Sequence, residues 1–157
     1  MKTRIGLRES SLDTVLGVLA RTLSDLSVLS QKTRNFHWNV EGPRFSELHK
    51  FFEAQYEALA EEIDDTAERS RALGGRALGS MREMLAKARL KENSSPRIPG
   101  DQTMLAELLS DHEAFIRSLR ADADACSKAE DKGTEDFLVG MMEEHEKMAW
   151  MLRAHVS

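Results

Sequence analysis

Between Leu12 and Phe36 the chain places Leu12, Leu16, Leu19, Leu23, Leu26, Leu29 and Phe36 at steps that mostly alternate between three and four residues. That rhythm keeps apolar side chains on one stripe of a 3.6-residue helix, whereas on a strand it would scatter them over both faces. A stripe this long predicts a helix from residue 11 to about residue 40 with one side laid against partners, and Glu41-Gly42-Pro43 then stops it. A second helix is predicted from residues 43–46 to about residue 73, where Gly74-Gly75 supplies the left-handed residue that follows many helix C-termini. LGSMREMLAKARL reads as a short helix and NSSPRIPGD as a loop. Asp101 is the expected N-cap of a third long helix carrying Met104, Leu105, Leu108, Leu109, Phe115 and Leu119, which ends in the polar run SKAEDKG. Thr134 is expected to cap a fourth, with Glu135 and Asp136 in its first turn and Phe137, Leu138, Met141, Met142, Met148 and Leu152 inside.

Four long helices, one short one and no strand candidate predict an all-α fold: a four-helix bundle of ferritin-like proportions with a short extra helix between helices 2 and 3. At 157 residues the chain is one domain's worth, with residues 1–10 expected as a flexible tail and 11–155 as the bundle. The net charge of −5 gives no reason to expect nucleic acid as the principal partner. Cys126 is the only cysteine and has no partner for an internal disulfide, which suits a small helix residue in a reducing compartment. No apolar run reaches signal-peptide or membrane-span length. A cytoplasmic protein is expected.

The chemistry-bearing residues gather on the second helix. Taking His49 as zero on a wheel of 100° per residue, Glu53 lies at about 40°, Asp64 at about 60° and Glu68 at about 100°. All four share one face. A histidine and a carboxylate four residues apart can grip one metal ion, and two such pairs are a ligand set for Fe(II), Mn(II) or Zn(II) with positions open for an oxidant. Glu53 and Asp64 nevertheless stand roughly 16 Å apart along the axis, too far for one cation. Two copies crossing antiparallel about a two-fold axis would bring the His49/Glu53 end of one against the Asp64/Glu68 end of the other, giving two identical sites per dimer. Ala60, at about 20° near the midpoint, would allow close approach, and the Gly-Pro turn would return His37 beside the second helix.

Other groups have plainer readings. Glu57, Glu61 and Glu62 are expected on a solvated acidic surface supported by Arg69 and Arg71. Met141, Met142, Met148 and Met151 read as adaptable core rather than haem ligands. The residues three before the five histidines are Arg34, Ser46, Leu109, Met142 and Leu152, so the Glu-x-x-His motif of a di-iron centre within one subunit is absent.

The runs NFHWNVEG, FSELHKFFE and IDDTAERSRALGG resemble the Dps family, the DNA-protection miniferritins of starved bacterial cells. The resemblance extends along the whole chain in helix order and length, and is most specific over residues 35–75. It implies a hollow homododecamer with a ferroxidase di-iron centre at each two-fold interface: His37, His49 and Glu53 from one subunit, Asp64 and Glu68 from its neighbour. Position 53 is more often Asp in the family. The implied reaction is oxidation of Fe(II), preferentially by hydrogen peroxide, followed by storage of ferric mineral; zinc would compete for the same donors, and no haem is expected. Trp38 resembles the family's tryptophan near the centre, and Asp136 with Glu135 are the candidate iron-entry pore residues. Members that bind DNA usually do so through basic tails; here Lys2, Arg4 and Arg8 would have to act by twelve-fold display from an acidic shell.

Overall fold

The computed structural model describes residues 3–156, which form α1 (Glu9–Asn39), α2 (Phe45–Ala72), α3 (Met81–Lys87), α4 (Asp101–Lys128) and α5 (Lys132–Val156), with no strand among the described residues. The long helices make the expected four-helix bundle: α1 packs on α2 and α4, α5 on α4, and the short α3 rests on α1. Among the described residues no helix is long and apolar enough to cross a membrane.

The stripe that predicted α1 is the one it buries. Leu19, Leu23, Leu26, Leu29 and Phe36 are enclosed with Leu48, Phe52 and Leu59 of α2, Met104, Leu105, Leu108, Phe115 and Leu119 of α4, and Leu138, Met141, Met142 and Leu152 of α5. Leu12, Leu16, Leu109 and Phe137 are partly buried against this core. Each enclosed Leu, Met or Phe contributes about 1.5–3 kcal/mol relative to an exposed one.

The turn between α1 and α2 aligns the two helices. Val40 leaves helical geometry with ψ 136°, Gly42 takes φ +101°, and the Phe45 N–H returns to the Gly42 carbonyl at 3.0 Å. A residue with a Cβ resists that φ, which is why a glycine stands there. At the other end of α2, Gly74 takes φ +87°, as expected of the residue after the C-terminus. The long connection around α3 is tied down by a buried carboxylate: Asp25 accepts the Arg89 N–H (2.6 Å), the Leu90 N–H (3.1 Å) and Arg89 Nε (2.7 Å). Arg89 also reaches Asp122 at 2.7 Å, where Arg21 meets the same carboxylate at 3.1 Å.

Three boundaries differ from expectation. Helix α5 starts at Lys132 and is capped by Asp131, whose carboxylate takes both the Thr134 N–H (3.1 Å) and the Thr134 O–H (2.6 Å). Asp131 is as good a cap as Thr134 and comes three residues earlier, so Thr134 becomes the third helical residue. Asp101 opens α4 as its first helical residue after Gly100, with its carboxylate taking the Gln102 N–H (2.7 Å) and an ion pair from Arg44 (2.8 Å). Finally, Glu9 and Ser10, read as tail, already belong to α1.

Candidate metal centre

His37 lies in the last turn of α1 and His49 in the first part of α2, so the tight turn sets their rings face to face, with centroids 3.8 Å apart and planes at 20°. Each ring is tied to the other residue's backbone. His37 Nδ1 lies 2.7 Å from the His49 carbonyl, and His49 Nδ1 lies 2.9 Å from the His37 carbonyl. A carbonyl only accepts, so both Nδ1 atoms carry the proton, and it is Nε2 that each ring has left to offer a metal ion in its neutral form. This is the outer-shell bonding that fixes tautomer and ring direction in metal-binding histidines. Phe45 stacks on the far end of the pair, 5.0 Å from the His49 ring. His37 is buried and His49 half-buried.

Glu53 follows His49 by one turn and is half-buried. Asp64 and Glu68 lie exposed farther along α2 and take no hydrogen bond or ion pair from the described residues. No three His, Cys, Asp or Glu side chains among the described residues of one chain gather closely enough to hold a metal ion. The structure therefore brings His37 and His49 together with Glu53 one turn on, and leaves Asp64 and Glu68 apart from them.

The remaining candidates are dispersed. Trp38 points outward, 62% exposed, at the edge of a groove that Gln31, Lys32, Asn35, Glu92 and Asn93 also line. Glu135 and Asp136 line an open depression at the start of α5 with Lys132 and Val139, and Lys132 pairs with Glu135 at 2.6 Å. That lysine, with the Ser127 hydroxyl adding to it, holds the Glu135 carboxyl below its ordinary pKa. Arg4 is exposed, Arg8 is engaged by Glu130 at 3.1 Å, and Lys2 lies outside the described residues.

One group was misread from the sequence. Glu62 is not solvated surface: it is largely buried, and its carboxyl is 2.8 Å from His145 Nε2. Arg69 and Arg71 do not support it, since Arg69 pairs with Asp131 (3.2 Å) and Arg71 with the Gly75 carbonyl (2.6 Å). Beyond His145 the line continues across the bundle, His145 Nδ1 to His112 Nδ1 at 2.9 Å. Burial, then the nearby Glu144 and Asp65 charges, raise the Glu62 carboxyl to about 8. Burial lowers His145 to about 3 and takes His112 well below the usual imidazole range. At neutral pH all three groups are then uncharged. Glu62 O–H donates to His145 Nε2, and His145 Nδ1–H donates to His112 Nδ1. His112 Nε2 has no partner among the described residues, nor does the Gln55 amide two turns before Glu62 on the same face of α2. The register held the signal. Glu62 continues Leu48, Phe52, Gln55, Leu59 and Thr66, all buried, and His112 and His145 sit at core positions between Leu108 and Phe115 and between Met142 and Met148.

Residues 17–157 match the model of the ferritin-like domain family. The chain is 44% identical over 156 residues to an uncharacterized low temperature-induced protein of Nostoc sp., covering 99% of this chain and 87% of that one. It is 36% identical over 143 residues to DNA protection during starvation protein 2 of Bacillus anthracis, covering 91% of this chain and 97% of that one. Among solved structures it superposes on a DPS protein from Vibrio cholerae O1, described as a member of a broad superfamily of ferritin-like diiron-carboxylate proteins. That match has a TM-score of 0.92 at 28% identity, covering 100% of this chain and 98% of that one.

Proposed function

The chain belongs to the ferritin-like family, among the DNA-protection-during-starvation proteins, and from that membership we propose that it is a ferroxidase whose iron site is shared between two subunits. The observation that carries the reading is the reciprocal His37/His49 pairing, which occupies both Nδ1 atoms and leaves both Nε2 atoms without a hydrogen-bond partner among the described residues. His37, His49 and Glu53 of one subunit bind Fe(II) together with Asp64 and Glu68 of a neighbour, whose exposed carboxylates are available to a second copy. Neutral imidazoles suit Fe(II), and carboxylates stabilise the harder Fe(III). Two Fe(II) ions each give one electron to hydrogen peroxide, and with two protons the products are two Fe(III) and two waters. No hydroxyl radical is released. The ferric product is stored as mineral inside a homododecamer, with Asp136 and Glu135 at an entry pore and Trp38 near the centre, and zinc competes with iron for the same donors. DNA is protected through this chemistry, in the cytoplasm, with physical coating of DNA the alternative; the net charge of −5 favours the chemical route.

The test is anaerobic Fe(II) titration followed by hydrogen peroxide, read by ultraviolet absorbance. It is run on the wild type, on His37→Ala, on Asp64→Ala, and on an equimolar mixture of the two variants reassembled from dissociated subunits. Fast oxidation by the wild type, loss in each variant and partial recovery in the mixture are expected, because a mixed dimer regains one intact centre. Single variants as fast as the wild type would overturn the proposal.

A further inference from the structure

Four buried side-chain atoms have no hydrogen-bond partner among the described residues, and three of them belong to His112 and Gln55. The fourth, Thr22 Oγ1, needs only a turn about χ1 to reach the carbonyl one helical turn back, the bond that Ser24, Ser27 and Thr33 make on the same helix. His112 has no such freedom, because its Nδ1 is held by His145 at 2.9 Å. Its side chain is fully enclosed, and Gln55 is 5% exposed.

The two residues lie at one level of the bundle. His37 stacks on His49, so equal steps back along α1 from His37 and forward along α2 from His49 set Lys32 opposite Ala54. Lys32 pairs with Asp111 at 2.5 Å. Gln55 and His112 are the next residues in sequence, and both are buried in the core. What His112 Nε2 lacks depends only on the direction of the line that reaches it. If Glu62 donates to His145 and His145 to His112, Nε2 carries a hydrogen without an acceptor; if the line runs the other way, it carries a lone pair without a donor. The Gln55 amide brings both a donor and an acceptor. Water donates and accepts, so it serves either direction, and buried polar groups left over by the protein are the ones that hold internal water. We propose that the core between α2, α4 and α5 binds an ordered water shared by His112 Nε2 and the Gln55 amide. The line then leaves α2 at Glu62, crosses α5 and α4, and returns to α2 at Gln55, joining three helices by one continuous set of hydrogen bonds.

The test is a crystal structure of the full-length, chelator-treated wild type at a resolution that shows ordered water, followed by that of Gln55→Leu. The expected result is a water within about 2.7–3.2 Å of both His112 Nε2 and one atom of the Gln55 amide. In Gln55→Leu, where an apolar side chain of similar size replaces the amide, that water should lose most of its occupancy while the His145 contact with His112 persists. A direct hydrogen bond between His112 and Gln55, a water touching only one of them, or full occupancy in Gln55→Leu overturns the proposal. So does an anomalous-scattering peak marking a metal ion in place of the water. The wild-type structure is sufficient to refute the site, so the test does not depend on the variant folding.

Discussion

Replacing Glu62 with Gln should remove the alkaline fall in stability of the metal-free protein. Burial holds His145 and His112 neutral in the folded chain, while in the unfolded chain they protonate near 6.5. The unfolded state therefore binds more protons below that pH, and stability rises with pH up to about 6.5. Glu62 acts in the opposite sense. Its carboxyl ionises near 4.5 when unfolded and near 8 when folded, so between those values the folded state keeps a proton that the unfolded state has lost, and stability falls as pH rises. Between 4.5 and 6.5 the two histidines outweigh the one carboxyl; above 6.5 only the carboxyl remains. The three groups together set a maximum near pH 6.5. The slope beyond it is about 1.4 kcal/mol per pH unit, so from pH 6.5 to 8 the wild type should lose about 2 kcal/mol that Glu62→Gln, whose amide donates to His145 Nε2 without ionising, does not lose. The assay is denaturant unfolding of both proteins at matched protomer concentration across pH 5–9, read as the difference between the two curves. Parallel curves above pH 6.5 would show that Glu62 is already ionised in the folded state and would refute the reasoning.

Asp25→Ala should destabilise by about 3–5 kcal/mol in the same assay, because it strips a buried carboxylate from two backbone N–H groups and the Arg89 guanidinium; a loss under 1 kcal/mol would mean that this tie does not hold the α3 connection. Cys126 should resist a thiol reagent at pH 8 until the protein is unfolded, since burial first, then Asp131 and Asp122, push its thiol up to about 12; reaction of the native protein as fast as of free cysteine would contradict the packing around it.

The bundle was legible because a core stripe leaves a rhythm in the sequence: the buried Leu19, Leu23, Leu26, Leu29 and Phe36 are the residues whose spacing predicted α1. Helix starts were less so, since Asp131 and Thr134 are both able to cap and only the three-dimensional course of the chain chooses between them. His37 and His49 were legible as a pair because the Gly-Pro turn fixes how two helices return on each other. Their cross-bonding was not legible, as it depends on backbone carbonyls that every residue carries. Glu62, His112 and His145 escaped for a different reason. Reading a core by its apolar residues discards polar ones by type, even where their register matches the buried positions.

The reciprocal tie between His37 and His49 also bears on how such a site can change over generations. Replacing either histidine deprives the other's carbonyl of its donor and leaves the surviving ring without its stacked neighbour. The surviving ring keeps its own Nδ1 tie, because that bond goes to a backbone carbonyl any residue supplies, but it loses the stacking that helped to fix its plane. Substitutions at the two positions should be non-additive, and drift should keep or discard them together. A lineage that loses one would then hold the other under packing constraint alone, free to become any residue that fills the turn.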